Sequence, residues 1–384
     1  MSAKDDANFI RREEALMGYV AVKGGTIAIE ESIKRLKYER LKKGVVLDIG
    51  RIEAGLRGLI DQVMSESSLY DETLAALAIK HAEGNLEEAV FLLRAYRSTL
   101  PRKHYSQIVN TKDMSIERRI SASFKDIPGG QILGATTDYT HRLLDFDLME
   151  ETDEDAVNWL SAYEKEMLDE VDEKHFGKLP KVSDYLRKEG LFSECVMDNT
   201  EPDDVTRKSL TFPSTRSQRL QVLTRGQTGA VTSLAYAVIR GYGSLHPTVG
   251  ELRVGYLPVY IDSPFHSFNR EDDAYYIGEI KATEVEMLIP ETVEIGDGKK
   301  EIKFEIGYGL CFGQNETKAI AMGILDNSLE KGNRDYPTGD EEFVLYHIDS
   351  VESTGFISHL KLPHYVTFQS KLDIVRKSKS KQEM

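Results

Sequence analysis

The sequence predicts an α+β fold, with a helical N-terminal module followed by a mixed strand/helix domain. Helix start and stop signals alternate between Thr26 and Pro101, behind one short strand, and the longer period-2 strand patterns come later, at 116–124, 274–288 and 303–312. Strands and helices do not alternate regularly, so a parallel βαβ sheet is not expected.

Residues 1–16 read as an N-terminal extension, charged throughout and lacking the apolar run of a signal peptide. The mainly helical part spans 17–144. After a short alternating strand, Gly18–Lys23, Thr26 is an N-cap for a helix to Lys43 that Gly44 stops. Asp48 opens a second helix with Ile52, Leu56, Leu59, Ile60 and Val63 on one face. Asp71 opens a third that closes at Gly84, and Asn85 with Glu88 starts a fourth that Pro101 ends. Ile116–Phe124 alternates as a strand, and Pro128-Gly129 marks a turn.

Residues 145–204 carry 20 acids against 6 bases and read as an acidic connection: an exposed helix near Val157–Asp169, then solvated loop. Residues 205–372 form the mixed domain, with strands at Ala274–Leu288 and Lys303–Phe312, a helix at Asn315–Glu330 and a β-rich end around Phe356–Phe368. The lysine-rich residues 373–384 are expected to be a frayed, flexible tail.

The 384 residues carry a net charge of −15, which repels nucleic-acid backbones over most of the surface. No apolar run is long enough for a membrane span. Two cysteines, Cys195 and Cys311, are too few for a disulfide framework or an iron–sulfur cluster, and fit a reducing cytoplasm.

Against this acidic background, Val205–Tyr256 holds Arg207, Lys208, Arg216, Arg219, Arg225, Arg240 and Arg253 against the single acid Glu251. Planar guanidinium forks match phosphate oxygens, and the interleaved glycines, Gly241 and Gly243 among them, let backbone N–H groups approach an anion. The expected ligand is a highly phosphorylated small molecule; surface arginines paired with carboxylates from elsewhere are the alternative. No P-loop motif is present. Gly24-Gly25 and Gly313-Gln314-Asn315 each precede a helix and could seat a phosphate at its N-terminus.

Glu284 and Glu286, two apart in a strand, share a face, and with Glu279 and Asp138 they are the carboxylates available to Mg²⁺. His246-Pro247 lies inside the arginine-rich stretch and could donate to a phosphate or leaving group. His359 and His364 flank Pro363, and two imidazoles leave a metal site incomplete without a further ligand.

Several of these motifs are long and specific: Gly18-Tyr-Val-Ala-Val-Lys-Gly-Gly25, Phe91-Leu-Leu-Arg-Ala-Tyr-Arg97, Glu117-Arg-Arg-Ile-Ser-Ala122 and Lys125-Asp-Ile-Pro-Gly-Gly-Gln131. Others are Asp138-Tyr-Thr-His-Arg-Leu-Leu-Asp-Phe146, Arg240-Gly-Tyr-Gly243, Gly250-Glu251-x-Arg253-x-Gly255-Tyr256 and Ser358-His-Leu-Lys-Leu-Pro-His-Tyr-Val366. Together they resemble the PhnI-type subunit of the bacterial carbon–phosphorus lyase complex, from about Gly18 to Leu372. Residues 1–16 and 145–204 stand outside the likeness.

The resemblance implies a cytoplasmic enzyme of phosphonate catabolism that works with the other core subunits, including the radical iron–sulfur lyase subunit, and is dimeric within a hetero-oligomer. It implies displacement of adenine from MgATP by an alkylphosphonate, giving α-D-ribose 1-alkylphosphonate 5-triphosphate. It also implies nucleosidase action on ATP or GTP by the subunit alone, and a metal such as Zn²⁺ held by His359 and His364. For that chemistry Arg216, Arg219, Arg240 and Arg253 suit triphosphate anchoring, Glu284 or Asp138 the ribosyl cation, and His246 purine protonation. A non-catalytic scaffold is the rival expectation; nucleic-acid binding by the arginines is disfavoured by the acidic remainder.

Overall fold

The computed structural model describes residues 25–123, 125, 127–170, 178–193, 200–242, 247–263, 274–294, 299–361 and 365–382. The extension, Gly18–Gly24, Cys195, Gly243, His246 and His364 lie outside them.

Five helices come first: α1 (Gly25–Leu41), α2 (Ile49–Gly55), α3 (Arg57–Ser67), α4 (Glu72–His81) and α5 (Leu86–Thr99). Three of the expected caps form, whereas Thr26, expected as the N-cap of the first helix, lies inside α1. Asp48, Asp71 and Asn85 accept from the N–H groups of Arg51, Leu74 and Glu88 at 3.2, 2.8 and 2.9 Å. The single helix expected from Asp48 is instead two, broken at Leu56, which leaves helical geometry with ψ near 40°. The break lets Ile52 of α2 and Ile60, Val63 and Met64 of α3 enter one core with Ala75, Ile79, Val90 and Leu93.

Four antiparallel strands, β1 (Ser115–Ile120), β2 (Thr248–Asp262), β3 (Ala274–Glu294) and β4 (Lys300–Phe312), form one sheet in that order. The edge strand β1 therefore pairs with residues more than a hundred positions away. On one face, Leu252, Val254, Val285 and Met287 pack against α8 (Arg216–Arg225), α9 (Thr228–Ala237) and α10 (Glu316–Lys331) through Leu223, Val231, Met322 and Leu325. The glycines of β4 permit this contact: a Cβ at Gly307 or Gly309 would meet the Gly323 or Ala319 carbonyl oxygen at 2.0 Å.

The acidic connection contains α6 (Asp153–Glu170), exposed as expected, and α7 (Val182–Lys188), where loop was expected. Val182 and Leu186 are buried with Leu288, against Phe304 and Ile306, so this stretch is docked on the sheet rather than solvated.

The C-terminal expectation fails. Phe356–Phe368 is not β-rich: α11 (Glu341–His347) and α12 (Ser350–Ser358) are followed by a 3₁₀ turn at His359–Lys361 and by α13 (Tyr365–Gln382). A short apolar run does not separate strand from helix by period alone. The deciding group is Asp349, whose carboxylate accepts from Val351 and Glu352 N–H at 2.9 and 3.2 Å and starts α12. The tail expected to fray is helical through Gln382.

Candidate functional site

The second face of the sheet carries a ladder of buried charge. Strand alternation sends Glu251, Arg253, Glu284, Glu286 and Tyr308 to the side opposite Leu252, Val254 and Val285. Arg119 enters from β1, where it is the register partner of Arg253. Arg119, Glu251, Arg253 and Glu284 are each at most 2% exposed.

The ladder is paired throughout. Arg119 Nε donates to Glu251 Oε1 at 2.5 Å, and its two other nitrogens donate to the Pro128 and Pro180 carbonyls at 2.7 and 2.9 Å. Arg253 donates through Nε to Glu284 Oε2 at 3.1 Å and through Nη2 to the same oxygen and to the Thr111 carbonyl. Lys181 closes the top, with Nζ 2.7 Å from Glu284 and 3.0 Å from Glu286, while Tyr308 donates its hydroxyl to Glu284 at 2.8 Å. Glu251 also accepts from the Val182 N–H at 3.0 Å, so residues 180–182 are held by the ladder they cover.

Burial pushes the Glu284 carboxyl up, but the Arg253 guanidinium and the Lys181 ammonium outweigh it and hold the group down at about 2. Burial and the adjacent Glu284 charge push Tyr308 well above its ordinary value. Glu284 is therefore a fixed anion, and Tyr308 a fixed neutral donor. Among the described residues, Arg253 Nη1 and Glu286 Oε2 are buried without a hydrogen-bond partner.

Three motifs singled out in the sequence meet here: 117–122 supplies Arg119, 125–131 its acceptor Pro128, and 250–256 the pair Glu251 and Arg253. Gly129, at φ 87°, is needed in that turn because a Cβ would meet Leu179 at 2.5 Å. Lys181, Glu251, Arg119 and Tyr308 were not among the candidates. Strand alternation could have placed the last three, but nothing local marks Lys181, one lysine in an acidic stretch.

The arginines expected to hold an anion are dispersed. Arg253 is in the ladder. Arg216 pairs with Asp326 at 2.6 Å across the other face. Arg219 pairs with Glu330 and lies 3.6 Å from Glu341. Arg240 is exposed, lies over the Tyr236 ring at 5.8 Å, and forms no ion pair among the described residues. It precedes Gly241, whose φ of 118° is a conformation that favours glycine.

Asp138 lies apart from the ladder. It is half-exposed in a loop, 2.5 Å from Arg118, which also pairs with Glu316 at 2.9 Å. The turn before α10 already holds a carboxyl group of the chain itself: Asp61 accepts from the Gln314 N–H at 2.9 Å. His359 ends α12 on the surface, its Nδ1 against the Phe356 carbonyl. No group of three or more His, Cys, Asp or Glu among the described residues could hold a metal. No described helix is long and apolar enough to cross a membrane.

A family model described as bacterial phosphonate metabolism protein (PhnI) matches residues 18–382. The chain is 45% identical to the putative C-P lyase subunit protein HtxH of Stutzerimonas stutzeri, covering 95% of this chain and 97% of that protein. It is 43% identical to the alpha-D-ribose 1-methylphosphonate 5-triphosphate synthase subunit PhnI of Rhizobium meliloti, covering 94% of each chain. Against the Escherichia coli protein of the same name it is 41% identical, over 95% of this chain and 99% of the other.

Proposed function

Because the chain belongs to the PhnI family of bacterial phosphonate metabolism proteins, we propose that it acts as a subunit of an α-D-ribose 1-methylphosphonate 5-triphosphate synthase in a carbon–phosphorus lyase system. The observation that carries this reading is identity of 41–43%, across nearly the whole of each chain, to two relatives bearing that name. Exposed apolar faces are consistent with a multisubunit setting: Ile29, Ile33 and Leu36 on α1, and Trp159, Leu160 and Tyr163 on α6.

The reaction we assign is displacement of adenine from MgATP by an alkylphosphonate, with release of adenine or guanine to water when the subunit acts alone. Cleavage of the N-glycosidic bond builds positive charge on the ribose. Glu284, held as an anion, can oppose that charge but cannot supply a proton near neutral pH. Purine protonation then falls to another group, and His246 is retained for it. Asp138 remains the alternative carboxylate, being the more accessible of the two. Arg240, with Gly241 and Gly243, is the best placed of the four arginines to reach a triphosphate, since the others are committed to internal carboxylates. Attack opposite the departing base would convert the β-nucleotide into an α-product.

His359 and His364 would hold a metal such as Zn²⁺ together with donors from a partner subunit. The Nδ1 contact of His359 is of the kind that orients a ligating imidazole. The metal would supply a cross-link between subunits or a Lewis acid.

One observation favours a scaffold as the second reading: Glu284 and Arg253 are buried and paired with each other. Incubating the purified chain with MgATP, with and without methylphosphonate and the partner subunits, and following free adenine by chromatography decides the matter. Adenine from the chain alone supports catalysis here, and adenine only with partners supports a composite site. No adenine under any condition leaves the scaffold.

A further inference from the structure

A second group of arginines, away from the ladder, gathers where α5 meets the end of α8. Arg225, the last residue of α8, is partly buried and reaches Ser68 Oγ at 3.4 Å. Arg94 of α5 donates through Nη2 to the Arg225 carbonyl at 2.9 Å, which brings α5 beside it. Arg97 follows one turn later on α5 and is half-buried. Arg102 lies just beyond, 5.1 Å over the Tyr105 ring, whose hydroxyl accepts from Arg207 at 3.4 Å.

The carboxylates in reach do not balance these cations. Asp349 is taken by Arg94, which donates to both of its oxygens at 2.9 and 2.8 Å. Asp204 is taken by Arg102 at 2.8 Å and by the N–H and hydroxyl of Thr206 at 2.9 and 2.6 Å. Among the described residues, neither Arg97 nor Arg225 has a carboxylate within ion-pair distance.

The electrostatics agree. Burial pulls the Arg225 guanidinium down to about 10, with Arg94 and then Arg97 adding to the fall. Arg97 is lowered as well, by burial first and by Arg94 second. Asp204 offsets part of the fall at both groups and Asp349 part of it at Arg225, but partly desolvated guanidiniums that repel one another with no carboxylate in contact are costly unless an anion joins them.

We propose that Arg97 and Arg225, backed by Ser68 and Arg94, form a binding site for a doubly charged tetrahedral oxyanion of the phosphate or phosphonate class. Arg97 and Arg225, the two without a carboxylate at ion-pair distance among the described residues and within reach of each other, match the charge of such a dianion, and forked donors on separate helices can grip its oxygens from two sides. Two elements of the sequence join here: Arg97 ends the motif at 91–97, and Arg225 comes from the arginine-rich stretch. The site does not depend on the glycosyl chemistry proposed above, because it rests on charge and geometry alone.

The test is titration calorimetry of the full chain with inorganic phosphate, with methylphosphonate, and with ATP plus magnesium. Wild type is expected to bind one such anion per chain at this site, which Arg97→Met and Arg225→Met each weaken at least about tenfold, as loss of a charged hydrogen bond implies, whereas ATP binding that both variants leave unchanged belongs to the site proposed at Arg240. Arg35→Met, on exposed α1, is expected to bind as wild type does. Binding of phosphate or methylphosphonate alone assigns the site to a free oxyanion; binding of ATP only assigns it to a nucleotide's phosphates.

Thermal melting gives an independent reading. In anion-free buffer Arg225→Met is expected to melt no lower than wild type, and phosphate is expected to raise the wild-type midpoint but not the variant's. Absence of binding by wild type to all three ligands, or equal binding by the Arg97 and Arg225 variants, overturns the proposal.

Discussion

Arg253 on β2 and Glu284 on β3 stand directly opposite each other in the antiparallel register, each only 2% exposed. The guanidinium meets the carboxylate through Nε and Nη2, and Lys181 from the acidic connection approaches the other carboxylate oxygen at 2.7 Å. Two cations therefore share one buried anion, with Glu286 a second partner for Lys181 alone, which makes Glu284 the group whose loss the fold feels most.

Glu284→Ala is expected to destabilise the chain by about 3–5 kcal/mol, because it leaves Arg253 and Lys181 buried without their shared counterion. Lys181→Met is expected to cost less, since Arg253 still neutralises Glu284. Urea denaturation at neutral pH measures both. Equal costs for the two variants would contradict the central place given to Glu284.

The depressed pKa of Glu284 fixes a pH dependence. Its folded value of about 2 lies below the ordinary 4.5, so the stabilisation it gives is complete above about pH 4.5. That stabilisation is lost as pH falls from there toward 2. The stability gap between wild type and Glu284→Gln should be constant from pH 7 to 5 and close progressively below, as followed by urea midpoints at each pH. A gap that widened on acidification would reverse the sign argued here.

Arg216 and Arg240 should separate stability from binding. Arg216→Ala leaves the fully buried Asp326 without its cation and is expected to lower stability by several kcal/mol, about 3–5. Among the described residues Arg240→Ala removes only an exposed contact with Tyr236, and it is expected to leave the melting temperature within about a degree or two. If Arg240 anchors the triphosphate, its loss slows adenine release by about tenfold or more. Melting curves and the adenine assay on both variants check the contrast.

Gly309→Ala should be destabilising although it adds a single methyl group. The new Cβ would meet the Ala319 carbonyl oxygen at 2.0 Å, so α10 must shift away from β4. A cost of at least about 1–3 kcal/mol is expected from overpacking, read as a lower thermal midpoint. An exposed control, Gly58→Ala, meets nothing within 4 Å and should not share it.

His359→Ala is expected to lower the zinc content of the reconstituted complex while leaving the melting curve of the isolated chain unchanged, since His359 is on the surface. Metal analysis of the purified complex is the measurement. Unchanged zinc with the variant would remove His359 from the ligand set.

Much of the fold was legible locally. Asp48, Asp71 and Asn85 announce helix starts because a short side-chain oxygen before an amphipathic run satisfies free N–H groups whatever the tertiary context. Alternation in 274–288 and 303–312 placed Glu284 and Glu286 on one face for the same local reason. The C-terminal region was misread because Phe356, Ile357, Leu360 and Phe368 are apolar and exposed, so neither period nor burial separated helix from strand.

The sequence by itself determined the helix caps, the strand faces, the concentration of arginine and the motifs that mark the family. Each depends on neighbours a few residues apart. Only the tertiary structure decided what those charges do. Asp326 claims Arg216, Glu284 claims Arg253, and Lys181 descends from an acidic stretch to close the ladder. Arg94, one turn before Arg97 on α5, reaches the Arg225 carbonyl, so two arginines 128 positions apart come near each other with no carboxylate at ion-pair distance among the described residues. Pairing of charge depends on distance and burial rather than on spacing along the chain, and both are set only when the sheet closes and the helices pack against it.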